Sequence, residues 1–134
     1  MTRDLTQYVE VNDTRGTTIL KVVDPEVLAD EKAALYALAD GEAGPTLSNQ
    51  VVLSLVNVRI FKSLMIATLI NFQKKIRERG GQLKICSIDP NVMRLFQLTR
   101  MDQILDLRKD EQDAIDSFGG SSAPGWLSRL FGSR

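Results

Sequence analysis

The stretch from Gln50 to Ile88, whose core reads VVLSLVNVRIFKSLMIATLINFQKKIRERGGQLKICSI, most constrains what this chain can fold into. It reads as a buried strand, a turn, a long helix, a glycine stop and a second strand. In the first strand Val51, Leu53 and Leu55 point to one side and Val52, Val56 and Val58 to the other, with only Ser54 polar. Side chains alternate along a strand, so apolar residues on both faces predict a strand covered on both sides, as in a parallel sheet. The helix is expected to start near Ser63, whose hydroxyl can accept a bond from an orphan backbone N–H. Met65, Leu69, Phe72 and Ile76 then recur at helical spacing as a one-sided stripe. Lys74, Lys75, Arg77 and Arg79 gather where a helix dipole is negative, and Gly80 supplies a left-handed stop. A helix of about 17 residues at ~1.5 Å rise spans about 25 Å, which returns the chain to the edge where the first strand began. The predicted unit is a right-handed βαβ crossover.

Its first two helical turns are unusual. Leu64, Met65, Ile66, Ala67, Leu69 and Ile70 make that end apolar nearly all the way round. Such an end is either buried on several sides or offered to a partner, and both readings stay open here.

The composition narrows the chemistry. Seventeen basic and seventeen acidic residues cancel among 134, so net charge favours neither nucleic acid nor stable insertion at an anionic membrane. The absence of histidine removes the commonest general base, the commonest metal ligand and every Ser-His-Asp arrangement. A single cysteine, Cys86, forms no internal disulfide and no zinc cluster, and reads as a small core residue. No metal or cofactor is expected. The N-terminal MTRDLTQYVEV lacks a signal-peptide core and no apolar run is long enough to span a bilayer, which predicts a cytoplasmic protein.

Before the central unit, Gln7 to Val11 and Thr17 to Val23 read as two strands of a hairpin around Asn12 to Gly16. Asp24-Pro25 ends the second strand, because proline lacks a ladder donor. A helix is expected from about Asp30 to Asp40, then an irregular loop from Gly41 to Asn49. After the central unit, Asp89-Pro90 opens a helix with an inner face of Val92, Leu95, Phe96 and Thr99. Gln103 to Leu107 reads as one more short strand, and Asp110 to Phe118 as a closing helix with Ala114, Ile115 and Phe118 inward. The expected fold is a single α/β domain over 1–118, a mixed sheet of four to five strands packed with about four helices. Residues 119–134 are expected to be a flexible Gly/Ser/Pro linker and a short amphipathic tail. In that tail Trp126, Leu127, Leu130 and Phe131 fall on one side of a helical turn, as a docking or membrane-surface motif or a terminus folded back on the domain.

These residues together resemble the STAS domain, the fold of bacterial anti-sigma factor antagonists and of the cytoplasmic tails of sulfate transporters. The resemblance covers about Gln7 to Phe118. It rests on VVLSLVNV, the helix ending KKIRERGGQLKICSI, the following DPNVMRLFQLTRMDQILDL and the closing DEQDAI. In phosphorylation-switched members the first strand leads into Asp-Ser-Ser-Gly, whose second serine is phosphorylated by an anti-sigma factor kinase. The corresponding residues here are Lys62, Ser63, Leu64 and Met65, so Leu64 stands at the acceptor position without a hydroxyl.

The resemblance implies a non-enzymatic regulatory domain that grips a protein partner, such as a serine kinase of the anti-sigma type, without the usual switch. The expected surface is Arg59, Lys62, Ser63, Leu64, Met65 and Ile66, with Ser63 either a helix cap or a shifted phosphoacceptor. The alternative is a STAS subunit that forms homodimers or scaffolds a signalling complex. Catalysis is the weakest reading: Asp89, Asp102, Asp106 and Asp110 are scattered, and Gly80-Gly81 follows a helix, the reverse of a phosphate-cradling loop.

Overall fold

A computed structural model describes residues 5–42 and 44–118. The linker and the Trp126, Leu127, Leu130 and Phe131 tail lie outside them. Strand β1 (Val9–Thr14) turns into β2 (Thr17–Val22) through Arg15 and Gly16, both at positive φ (52° and 81°). Two such residues match the right-handed twist of a tight antiparallel hairpin, which closes on the Thr14–Thr17 pair. Asp24 caps a short 3₁₀ turn, Pro25–Leu28, and α1 (Lys32–Ala39) follows. Strand β3 (Gln50–Ser54), α2 (Ser63–Glu78) and β4 (Gln82–Cys86) form the central unit, followed by α3 (Pro90–Leu98) and α4 (Glu111–Phe118). The sheet order is β1-β2-β3-β4, antiparallel in its first pair and parallel in the other two.

The two faces of β3 bury different material, as its double-sided apolar pattern requires. Val51 and Leu53 join a large core with Leu20, Val22, Leu83 and Ile85, closed by Leu35 and Leu38 of α1 and Leu69, Phe72 and Ile76 of α2. Val52 faces the other way, into a small cluster with Ile19, Cys86 and Ala114 that α4 covers with Ile115 and Phe118. Gly80 stops α2 at φ 85°, and at Gly81 a Cβ would stand 2.9 Å from the Asn49 carbonyl, so the second glycine permits the close pass into β4.

Four expectations change in detail. The strand expected at Gln103 to Leu107 is a 3₁₀ turn, Met101–Gln103, and a single parallel bridge from Leu107 to Ile85, so the sheet has four strands. Strand β3 stops at Ser54 rather than running to Val58; Leu55 and Val58 are buried in the large core while Val56 is exposed. Thr99 is exposed, its hydroxyl donating to the Leu95 carbonyl at 2.8 Å instead of packing inward. Ser63 is not the helix cap. Lys62 holds the extended cap conformation (φ −108°, ψ 161°) and its carbonyl already accepts from Met65 and Ile66, which makes Ser63 the first helical residue.

Candidate functional site

The segment between β3 and α2 projects from the C-terminal edge of the sheet and is held at three points. Leu55 N–H donates to the Cys86 carbonyl at 3.0 Å, extending the β3–β4 ladder by one bond. Asn57 Nδ2 donates to the Val22 carbonyl at 3.2 Å, tying the loop to the end of β2. Phe61 meets Phe96 of α3 edge-on, 5.0 Å between ring centroids at 89°, an arrangement the aromatic quadrupole favours. Between these anchors the chain presents Val56, Arg59 and Ile60 outward.

At the start of α2 the side chains divide sharply. Met65 is buried in the large core, its Sδ 3.4 Å from the Lys62 N–H, and Ile66 packs partly against that core. Lys62, Ser63 and Leu64 stay outside. Of the six residues expected to form one surface, the structure therefore leaves Arg59, Lys62, Ser63 and Leu64 exposed and turns Met65 inward. Ala67 and Ile70 continue the exposed row from Leu64 at helical spacing, whereas Thr68 is buried, its hydroxyl donating to the Leu64 carbonyl at 3.1 Å.

Val56, Ile60 and Leu64 are thus exposed at four-residue intervals along the chain, with Arg59 and Lys62 exposed between them. Ile60 is 71% exposed, Val56 48% and Leu64 44%. Three large aliphatic residues this open to water within nine positions make the segment a candidate association surface. Ile60 and Val56 escaped the sequence reading because Val56 fitted the alternation of β3 and Ile60 lay in a loop. The available signal was Asn57, a turn residue that places its neighbour Val56 in the turn beyond the strand.

The helix start is electrostatically frustrated. A lysine at the cap has no oxygen to offer the first N–H groups, makes no side-chain cap bond here, and brings positive charge to the positive end of the dipole. Ser63 is the one hydroxyl among residues 59–66 and is exposed.

Three of the four scattered carboxylates are used structurally. Asp89 accepts from the Asn91 N–H at 2.8 Å as the α3 cap, and Asp110 accepts from the Asp113 N–H at 2.8 Å at the start of α4. Asp106 accepts from Lys84 Nζ at 2.7 Å and from Arg108 Nε at 2.8 Å. Partial burial alone would raise its carboxyl, but those two cations outweigh it and hold the group below its ordinary value. Asp102 is exposed in the turn after α3. Burial pushes the Cys86 thiol up to about 11 despite the Ser87 and Ser54 hydroxyls beside it, which suits a core residue rather than a nucleophile. Among the described residues no helix is long and apolar enough to cross a membrane.

Comparison with known proteins gives this geometry a context. The family model of the STAS domain matches residues 8–114. An anti-sigma F factor antagonist from Paenibacillus polymyxa is 28% identical over 65 residues, 48% of this chain and 56% of that protein, so the aligned stretch spans little more than half of that relative. The crystal structure of an anti-sigma factor antagonist from Thermotoga maritima superimposes with a TM-score of 0.66 at 20% identity, covering 81% of this chain and 92% of that one. A chain from the stressosome, a signal integration and transduction hub, superimposes with a TM-score of 0.58 at 13% identity, covering 80% of this chain and 93% of that one.

Proposed function

The chain belongs to the STAS domain family, and from that premise we propose that it is a non-enzymatic regulatory domain of the anti-sigma factor antagonist type. It binds a protein partner through the ridge of Val56, Ile60 and Leu64, with Arg59 and Lys62 at its rim. The single observation that carries this reading is Leu64, a large apolar side chain left 44% exposed at the first turn of α2. An apolar residue there gains by leaving water in a complex, at roughly 25 cal/mol per Å² of surface buried. A regulatory protein such as a serine kinase of the anti-sigma type is the partner class that the kinship with an antagonist supports.

The same residue argues that binding is constitutive. A phosphorylation switch works by adding about −1.5 to −2 charge to a surface that must pack, and Leu64 has no hydroxyl to carry it. The neighbouring hydroxyl, Ser63, is the alternative acceptor against which this reading is tested, since it stands beside Lys62 at a helix start that would stabilise an anion.

A second reading is a STAS subunit that associates with copies of itself or scaffolds a signalling complex, and the fold likeness to the stressosome chain favours it. Both readings place the same ridge at the interface. The Leu64→Asp variant tests them together: partner capture or self-association is lost while the fold stays intact, and retained association removes the ridge from the account.

A further inference from the structure

A groove along the basic half of α2 lies outside the proposed partner ridge. Ile70, Gln73, Lys74, Arg77 and Glu78 of α2, with Ile104 from the segment after α3, line an open groove of about 400 Å³. Its apolar walls are Ile70 and Ile104, 38% and 50% exposed. The buried Gln73 side chain donates to the Ile104 carbonyl at 3.2 Å and fixes one wall against the other. Lys74 and Arg77 make no ion pair among the described residues and stand exposed at the groove.

The described chain ends at Phe118 on the other face of the sheet, beside the β4 edge that the segment carrying Ile104 runs along. The Phe118 ring sits 4.8 Å from Lys84 Nζ, Lys84 bonds Asp106 at 2.7 Å, and Asp106 is two residues from Ile104. Seven residues, from Gly119 to Gly125, then precede Trp126. Fully extended they reach about 25 Å, and a Gly/Ser-rich chain of that length averages about 15 Å end to end, enough to bring Trp126 from Phe118 to Ile104.

We propose that the tail docks on its own domain, with Trp126 seated between Ile70 and Ile104. The indole offers a large rigid apolar body to the walls and a π-face to the Lys74 and Arg77 cations. Leu127, Leu130 and Phe131 add further apolar residues to the docking segment, and Arg129 matches the charge of Glu78. Ile70 at the groove is six residues beyond Leu64, about 9 Å along α2 and about 120° round its axis. A docked tail therefore flanks the partner ridge without covering it, and its test is independent of the Leu64 test.

Trp126 is the sole tryptophan, so its fluorescence reports this contact directly. In the full chain, emission is expected at shorter wavelength than in the urea-unfolded protein, with acrylamide quenching several-fold weaker, over a hundred-fold dilution. Ile104→Asp and Ile70→Asp, both at exposed positions and checked for fold by far-UV circular dichroism, each return emission and quenching toward the unfolded values. Four results would overturn the proposal: an exposed tryptophan in the unaltered chain; protection that survives both substitutions; protection lost on dilution, which assigns the groove to a second copy's tail; or protection seen only with anionic phosphatidylserine vesicles, which makes the tail a membrane-surface motif.

Discussion

Replacing Lys62 with aspartate should stabilise the domain, because the present residue is wrong for its position on two counts. Lys62 has the extended cap backbone but no side-chain acceptor, and makes no side-chain cap bond to the first turn of α2. An aspartate there supplies the acceptor, a change worth about 1 kcal/mol relative to a non-capping residue. Exchanging a positive for a negative charge at the positive end of the dipole adds about 0.5 kcal/mol at an exposed site. Neither gain is offset by lost packing, since Lys62 is exposed and makes no ion pair among the described residues. The sum, about 1.5 kcal/mol, corresponds to a rise in Tm of about 6 °C for a domain of this size. Calorimetry of the full chain at low salt measures it, and the dipole share should shrink at 1 M salt, where the Debye length falls to about 3 Å. An unchanged or lowered Tm would refute the assignment of Lys62 as an unsatisfied cap. Aspartate is also what the phosphorylation-switched members of the family carry at this position, so the substitution separates helix capping from switching.

Two further outcomes follow from the described contacts. Asp106 has its carboxyl held below its ordinary value, so its stabilising charge is complete above pH ~4 and is lost as pH falls through the lowered value. Asp106→Asn should therefore destabilise the chain at pH 7, where it leaves the buried Lys84 without its counter-charge, and the gap should narrow below pH ~4; urea titrations at both pH values check this. Incubation with ATP and lysate of the source organism should leave the intact mass unchanged, while a single added phosphate that disappears in Ser63→Ala would install Ser63 as a shifted acceptor.

The fold was legible where one periodicity spoke without competition. The double-sided valines and leucines of β3, the stripe from Met65 to Ile76 and the Asp89-Pro90 start each had one reading, and each formed as read. Boundaries failed where a second force entered. Alternation carried β3 past Ser54 because Val56 and Val58 are apolar, yet the ladder ends once Asn57 turns back to bond Val22. Gln103 to Leu107 had strand residues, but the 3₁₀ turn takes its start, and only its end reaches the edge of β4, where backbone bonds between Ile85 and Asp106 and Arg108 form a single bridge beside the Lys84–Asp106 pair. Ser63 looked like a cap by residue type, and cap identity depends on where the backbone enters the helix, which composition does not report. At the candidate site the apolar excess of α2 was visible, but its division into buried Met65 and exposed Leu64 required the helix's rotation against the sheet.

The proposed ridge stands or falls on Leu64→Asp. As an acid in the first turn of α2 at an exposed position, the substitution should leave Tm within a few degrees of the unaltered chain, since the helix dipole favours it. At an interface it would bury an unpaired charge and remove an apolar anchor, at least ~2 kcal/mol or about thirty-fold in affinity. Sedimentation velocity of the purified chain and affinity capture from source lysate, each run on the unaltered and Leu64→Asp proteins, read the two associations side by side. The account predicts that whichever complex the unaltered chain forms is lost in the variant with the fold unchanged. A folded variant that keeps the same complex at the same affinity would contradict it.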